Sequence, residues 1–175
     1  MRTLSLAAAL LTASPAAAEV KSASEHGFAL EQRVTLVVPP EQLYRSLGRI
    51  GSWWSPDHTY SGDAANLSLD LRPGGCFCER LDGGGGVEHM RVSYVEPGKR
   101  VVLTGALGPL LYEGVSGVMD LKVDRIAGGS ALTMSYKAGG FASGGAARLA
   151  PLVDKVLGEQ VRRLRTVAAA SDKKL

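Results

Sequence analysis

Two short constellations in the sequence have the residue types and spacing to do chemistry. Cys76 and Cys78 flank Phe77, and Glu79 and His89 flank Asp82-Gly83-Gly84-Gly85-Gly86, a run that reads as a hairpin loop. If that loop closes symmetrically, Glu79 faces His89 and Phe77 faces Arg91 on one side of the ribbon. On the other side Arg80 faces Glu88, Cys78 faces Met90 and Cys76 faces Val92; a register shifted by one residue undoes every pair. A carboxylate neighbour raises a histidine pKa and fixes its ring, so Glu79 and His89 form a candidate acid and base. The plainer reading, which we prefer from the sequence, is a cross-strand surface ion pair contributing under ~1 kcal/mol. Nothing in the sequence supplies a nucleophile together with its base and an orienting group, so no catalytic residue is assigned.

Cysteines at i and i+2 of a strand put both sulfurs on one face. Their Cα atoms would lie ~6.5 to 7 Å apart in an extended strand, at the outer edge of disulfide geometry. Three readings stay open: a disulfide, a soft-metal site of Cys76, Cys78 and Met90 suited to Cu(I), or two small apolar residues in a sheet core. The last is preferred, since two cysteines at this spacing fall short of a zinc pattern, and no cofactor is expected. Trp53 and Trp54 follow a short helical segment and offer large, rigid contact area for a ligand, or plugs for the end of the core. Tyr112 and Tyr136 carry the same two meanings. His26 and His58 are isolated and read as structural or surface groups.

The elements that must position these residues are legible from periodicity. Phe28, Leu30, Gln32, Val34, Leu36 and Val38 alternate with polar residues and end at Pro39-Pro40, a strand. Glu41 to Ile50, opened by Pro40, carries Leu43, Leu47 and Ile50 at helical spacing. Short alternating runs follow around Leu67 to Leu71, Cys76 to Leu81, Val87 to Val95, Arg100 to Thr104, Val115 to Val123 and Leu132 to Tyr136, each bounded by turn residues. Connections this short make successive strands antiparallel. Leu149, Leu152, Val153, Val156, Leu157, Val161 and Leu164 then recur at spacings of three and four, the apolar stripe of a long helix that must lie on the sheet. Pro151 marks either its first turn or a kink.

Composition bounds the function. The 175 residues are 45% hydrophobic and 21% charged with mean hydropathy +0.05, which is globular rather than disordered. A formal charge of +3 is too weak to imply a nucleic-acid partner. Met1 to Ala18 combines Arg2, an apolar run from Leu4 to Leu11 and Ala16-Ala17-Ala18, the pattern of a secretory signal peptide, too short to span a bilayer. Cleavage near Ala18 would leave residues 19–175 as one domain in the periplasm or outside the cell, with no stable membrane anchor and with its cysteines in an oxidising environment. Glu19 to Gly27 reads as a loose polar lead-in.

The order of these elements resembles the α+β helix-grip fold of the START-like or SRPBCC superfamily, a curved antiparallel sheet wrapped around a long C-terminal helix. Pro73-Gly74-Gly75-Cys76-Phe77-Cys78-Glu79 and Val95-Glu96-Pro97 before Arg100-Val101-Val102-Leu103 look like the middle of its polyketide-cyclase-like and chaperone-ATPase-activator-like branches. Gly105 to Leu110 and Val156-Leu157-Gly158-Glu159-Gln160 resemble exported bacterial members. The resemblance spans most of Leu30 to Ala168 and implies an elongated apolar cavity between sheet and helix. The expected partner is a small hydrophobic molecule, lined by Trp53, Trp54, Cys78, Met90, Tyr112 and Tyr136 with Glu79 and His89 as polar contacts. A cyclase or dehydratase using Glu79 and His89 is the alternative that the resemblance implies.

Overall fold

The computed structural model describes residues 17–170. Strands β1 (Ala17–Ser24) and β2 (Gly27–Leu36) lead into helix α1 (Pro40–Gly48), then β3 (Leu67–Leu69), β4 (Cys76–Arg80), β5 (Gly86–Glu96), β6 (Arg100–Gly105), β7 (Val115–Ile126), β8 (Gly129–Gly140) and helix α2 (Ala150–Ala170). All eight strands form one antiparallel sheet in the order β1-β2-β8-β7-β6-β5-β4-β3, so the second and last strands pair with each other while β1 and β3 are its two edges. The curved sheet with its long terminal helix is the α+β helix-grip architecture that the resemblance implies.

Alternation explains which face is wet. Phe28, Leu30, Val34 and Leu36 of β2 and Leu132, Met134 and Tyr136 of β8 all point inward, directly paired across the two strands as Leu30 with Tyr136 and Val34 with Leu132. Onto this face α2 lays Leu157, Val161 and Leu164, each completely buried and each stabilising the fold by about 1.5–3 kcal/mol before entropy is subtracted. Helix α1 packs Leu43 and Leu47 beside them, and Gln42 donates from Nε2 to the Ala168 carbonyl at 2.8 Å, holding the far end of α2.

Two expectations change. The polar stretch after Ala18 is no loose lead-in: β1 pairs with β2 from Ala17 opposite Arg33 to Ser24 opposite Gly27, because its backbone groups find partners on an open edge. The leader pattern at residues 1–16 lies outside the described residues. The apolar stripe of α2 is not buried throughout; Leu152 is 60% exposed and Val153 and Val156 are half-buried, because the first half of the helix stands off the sheet. Pro151 takes the first turn, where its missing N–H costs nothing, and the helix runs on from there.

The curvature has an identifiable source in β5. Its pairing with β4 jumps from Met90 opposite Phe77 to Glu88 opposite Cys78, so His89 is an extra residue, and its pairing with β6 skips Ser93. Two bulges within one strand bend it and increase its local twist. At the first bulge the end of β6 passes close: a Cβ on Gly105 would meet the Met90 Cα at 2.8 Å and the His89 carbonyl oxygen at 2.9 Å, and Gly105 holds φ 149°. Glycine is required there on both counts.

Candidate functional site

The bulge builds the site. In an unbroken strand His89 and Met90 would face opposite sides of the sheet, yet both are buried, since the inserted residue turns His89 inward without turning Met90 out. Glu79 reaches it diagonally: it pairs with Val87, shares its face with Phe77, and sits two residues short of His89 on the neighbouring strand. The expected register was therefore one to two residues off. Arg80 pairs with Gly86, Cys78 with Glu88 and Cys76 with Arg91, because Leu81 N–H closes the loop onto the Gly85 carbonyl at 2.9 Å and releases Gly86 into the strand.

Glu79 and His89 are in contact, and the preferred surface reading is overturned by their burial. Glu79 is 2% and His89 4% exposed, with His89 Nε2 3.0 Å from Glu79 Oε2. The other oxygen, Oε1, accepts from the backbone N–H of Ser61 at 2.5 Å. Burial alone pushes the Glu79 carboxyl up, but hydrogen bonds from Ser61, the Tyr60 backbone and His89 together outweigh it and hold the group below the ordinary carboxylate value. Burial holds the His89 imidazole below its ordinary value against the opposing pull of Glu79. The pair is thus a carboxylate and a neutral imidazole whose Nε2 donates. His89 Nδ1 is left buried with no hydrogen-bond partner among the described residues.

Aromatic rings hold the imidazole in place. Tyr60 stacks on it with ring centroids 5.8 Å apart and planes 24° from parallel, while Phe77 lies 4.9 Å away on another side. Trp54 packs edge-on against Phe77 at 5.3 Å and tilts against Trp53 at 5.6 Å, and Tyr112 meets Tyr60 edge-on at 6.4 Å.

This cluster opens on a pocket of about 330 Å³. His89 lines it from β5, Trp54, Asp57, His58, Thr59 and Tyr60 from the segment between α1 and β3, Leu107 to Leu110 from the turn after β6, and Leu149, Leu152, Val153 and Val156 from the start of α2 and the residue before it. Leu152, Val153 and Val156 escape full burial against the sheet because they form the pocket's outer wall. No Lys or Arg among the described residues lines it. The loop is bound to the helix: Ser55 N–H donates to Gln160 Oε1 at 2.7 Å, Arg163 Nε donates to the Trp53 carbonyl at 2.9 Å, and His58 Nε2 lies 3.3 Å from Glu159.

Of the residues expected to contact a ligand, Trp54 and His89 form the wall and Glu79 stands directly behind His89. Trp53 is buried with its Nε1 donating to the Ser46 carbonyl at 2.9 Å, and Met90 and Tyr136 are core residues, so none of these three belongs to the pocket wall. Burial pushes the Tyr136 hydroxyl up to about 12, opposed in part by the nearby Leu107 N–H, which falls outside hydrogen-bond geometry. Tyr112 is 77% exposed beside Tyr60 rather than inside the pocket. Cys78 faces away, on the outer side of the sheet, joined to Cys76 in a disulfide with Cα atoms 5.3 Å apart. Local bending at the bulge brings them closer than a straight strand would. The same geometry removes the soft-metal reading: the sulfurs bind each other, and Met90 points to the opposite face beside Phe77. His58, set aside as isolated, and Tyr60, not singled out, both line the pocket. Their only sequence signal is proximity to Trp54 in a turn-rich stretch.

No protein-family model and no curated protein matches the chain. Solved structures do. An uncharacterized protein from Rhizobium leguminosarum aligns at TM-score 0.61 with 16% identity, covering 89% of this chain and 98% of its own. A protein from Nitrosomonas europaea aligns at TM-score 0.57 and 18% identity, covering 84% and 96%. DynU16, a protein in the dynemicin biosynthetic locus, aligns at TM-score 0.56 and 15% identity over 79% of this chain and 46% of its own. At these identities the likeness is one of fold.

Proposed function

We propose that this protein binds a small, predominantly apolar molecule in the pocket between β5, the segment before β3, the turn after β6 and the start of α2, as an exported member of the START-like or SRPBCC superfamily. The observation that carries this reading is a pocket of about 330 Å³ walled by Trp54, Leu107, Leu110, Leu149, Val153 and Val156, with the His89 side chain at its wall. Apolar walls with a few placed polar groups are the general form of a small-molecule site. Export rests on the leader pattern, and a disulfide between Cys76 and Cys78 suits an oxidising compartment. A fold neighbour in a biosynthetic locus fits a small-molecule guest.

The test is native mass spectrometry of the protein taken from its own cells, followed by displacement of a bound hydrophobic fluorophore by the molecule found. A Val156→Trp variant, which fills the pocket from the helix side, should lose the fluorophore while keeping its melting temperature. Equal binding by that variant would remove the pocket from consideration.

The catalytic alternative has a specific observation in its favour. A neutral imidazole at the wall of an apolar pocket, oriented by a buried carboxylate and with its other nitrogen unpartnered among the described residues, has the parts of a general base. It would withdraw a proton from a bound carbon or oxygen acid, as cyclisation and dehydration require. A pH-rate profile that survives loss of both Glu79 and His89 dismisses it.

A further inference from the structure

We propose that the Cys76–Cys78 disulfide is a thiol-exchange centre that oxidises paired thiols on another polypeptide, an activity on the face of the sheet opposite the pocket. It stands independently of what the pocket binds.

The crosslink makes a poor staple. It closes a loop of only three residues, and a closure that short removes little freedom from the unfolded chain. Both ends are also held without it: the ladder pairs Cys76 with Arg91, and it pairs Cys78 with Glu88 on one side and Ser68 on the other. Closing the bond draws the Cα atoms to 5.3 Å, against the ~6.5–7 Å of a straight strand, so opening it lets β4 return toward its ordinary spacing. A bond that adds little by being closed and relaxes its strand on opening belongs with exchangeable disulfides rather than structural ones.

The sulfurs can be reached. Cys76 and Cys78 are half-buried on the outer face of the sheet, while α1 and α2 pack on the inner face. The side chains around them, Ser68, Arg80, Glu88 and Arg91, are all exposed, so a cysteine on a second chain can approach without displacing any core residue. One charge governs that approach. The Glu88 carboxylate lies within 4.8 Å of both sulfurs and opposes an incoming thiolate, an effect that its ion pair with Arg91 offsets in part. The preferred substrate is therefore a cysteine pair flanked by cationic residues, whose own charge favours the carboxylate, and acidic flanks count against a substrate.

The exchange balances in two displacements. A substrate thiolate attacks one of the two sulfurs, the Cys76–Cys78 bond breaks, and the other cysteine leaves as a thiolate that takes up a proton. The substrate's second thiolate then attacks its own sulfur in the mixed disulfide, which forms the substrate disulfide and releases the remaining cysteine. Two electrons pass from the substrate dithiol to the protein. A low-molecular-weight disulfide restores the crosslink by the reverse sequence.

The experiment mixes the oxidised protein with reduced thioredoxin and, separately, with two reduced dicysteine peptides, one flanked by lysines and one by glutamates. Thiol counts by mass spectrometry after acid quenching follow the electrons. Reduced thioredoxin should pass its electrons to the protein with an equilibrium constant of about ten or more, and the lysine-flanked peptide should be oxidised about threefold or more faster than the glutamate-flanked one. Glu88→Gln should bring those two rates toward equality while leaving the equilibrium with thioredoxin nearly unchanged. An equilibrium constant below one makes the crosslink a structural disulfide and overturns the proposal. So does an unchanged rate ratio in Glu88→Gln, since the attacking thiol would then not be passing that carboxylate. Neither result bears on ligand binding in the pocket.

Discussion

Replacing Glu79 by alanine separates a buried network from a surface ion pair. The variant removes the acceptor of the Ser61 N–H at 2.5 Å and of His89 Nε2 at 3.0 Å, together with the Tyr60 backbone contact. Each buried donor left without a partner costs about 1–3 kcal/mol, and because the three share one carboxylate the sum is less than additive, about 3–5 kcal/mol. For a domain of this length that lowers the melting temperature by about 6–20 °C. An exposed cross-strand pair would cost under ~1 kcal/mol, and Glu88→Ala, which removes the exposed partner of Arg91, supplies that control. The effect should also depend on pH. The Glu79 carboxyl titrates below its unfolded value, so its contribution is complete above about pH 4 and is lost as the pH falls through the folded value. His89 acts in the same sense: with its folded pKa lowered, its contribution is complete above about pH 6.5 and declines on acidification. Urea unfolding of wild type and Glu79→Ala at pH 7 and at pH 3 measures both. A loss under 1 kcal/mol at pH 7, or one of equal size at both pH values, refutes the burial argument.

Three further outcomes follow from the packing. Gly105→Ala should destabilise the fold by more than about 2 kcal/mol by chemical denaturation, since its Cβ meets the backbone at the His89 bulge and its φ is unfavourable for any other residue. Leu164→Ala, at a completely buried position under the sheet, should cost about 2–5 kcal/mol in the same assay. Reducing the Cys76–Cys78 disulfide with a dithiol frees the two Cα atoms to separate from 5.3 Å toward the ~6.5–7 Å of a straight strand, and the His89 ring resonances should shift as the bulge relaxes; unchanged resonances would show that the bulge stands without the crosslink.

The strands, their antiparallel order and the long terminal helix were legible because alternation and helical spacing repeat over many residues, as from Leu132 to Tyr136 or Leu157 to Leu164. The Glu79–His89 contact was visible as a pair but not as a buried one, because a bulge is a single inserted residue that leaves no periodic trace. That insertion is what sets His89 and Met90 on one face and leaves the cysteines on the other. The hairpin register failed for a similar local reason: five consecutive loop residues of near-equal flexibility do not say where the turn is centred. Tyr60, His58 and the turn from Leu107 to Leu110 come to the pocket through irregular backbone, for which spacing carries no information.

The hydrogen bonds that Gln160 accepts from Ser55 and that Arg163 donates to Trp53 have a consequence for traffic into the pocket. They latch the loop to the helix, so those two walls move as one piece and form a doorframe rather than a door. The remaining wall, from Leu107 to Leu110, begins just past Gly105 and ends before Gly114, two residues with backbone freedom that other side chains lack. It carries exposed Leu111 and Tyr112 at its tip. Leu107 and Leu110 are buried all the same, so a guest too large for the pocket would have to lift both from the core before it could be seated.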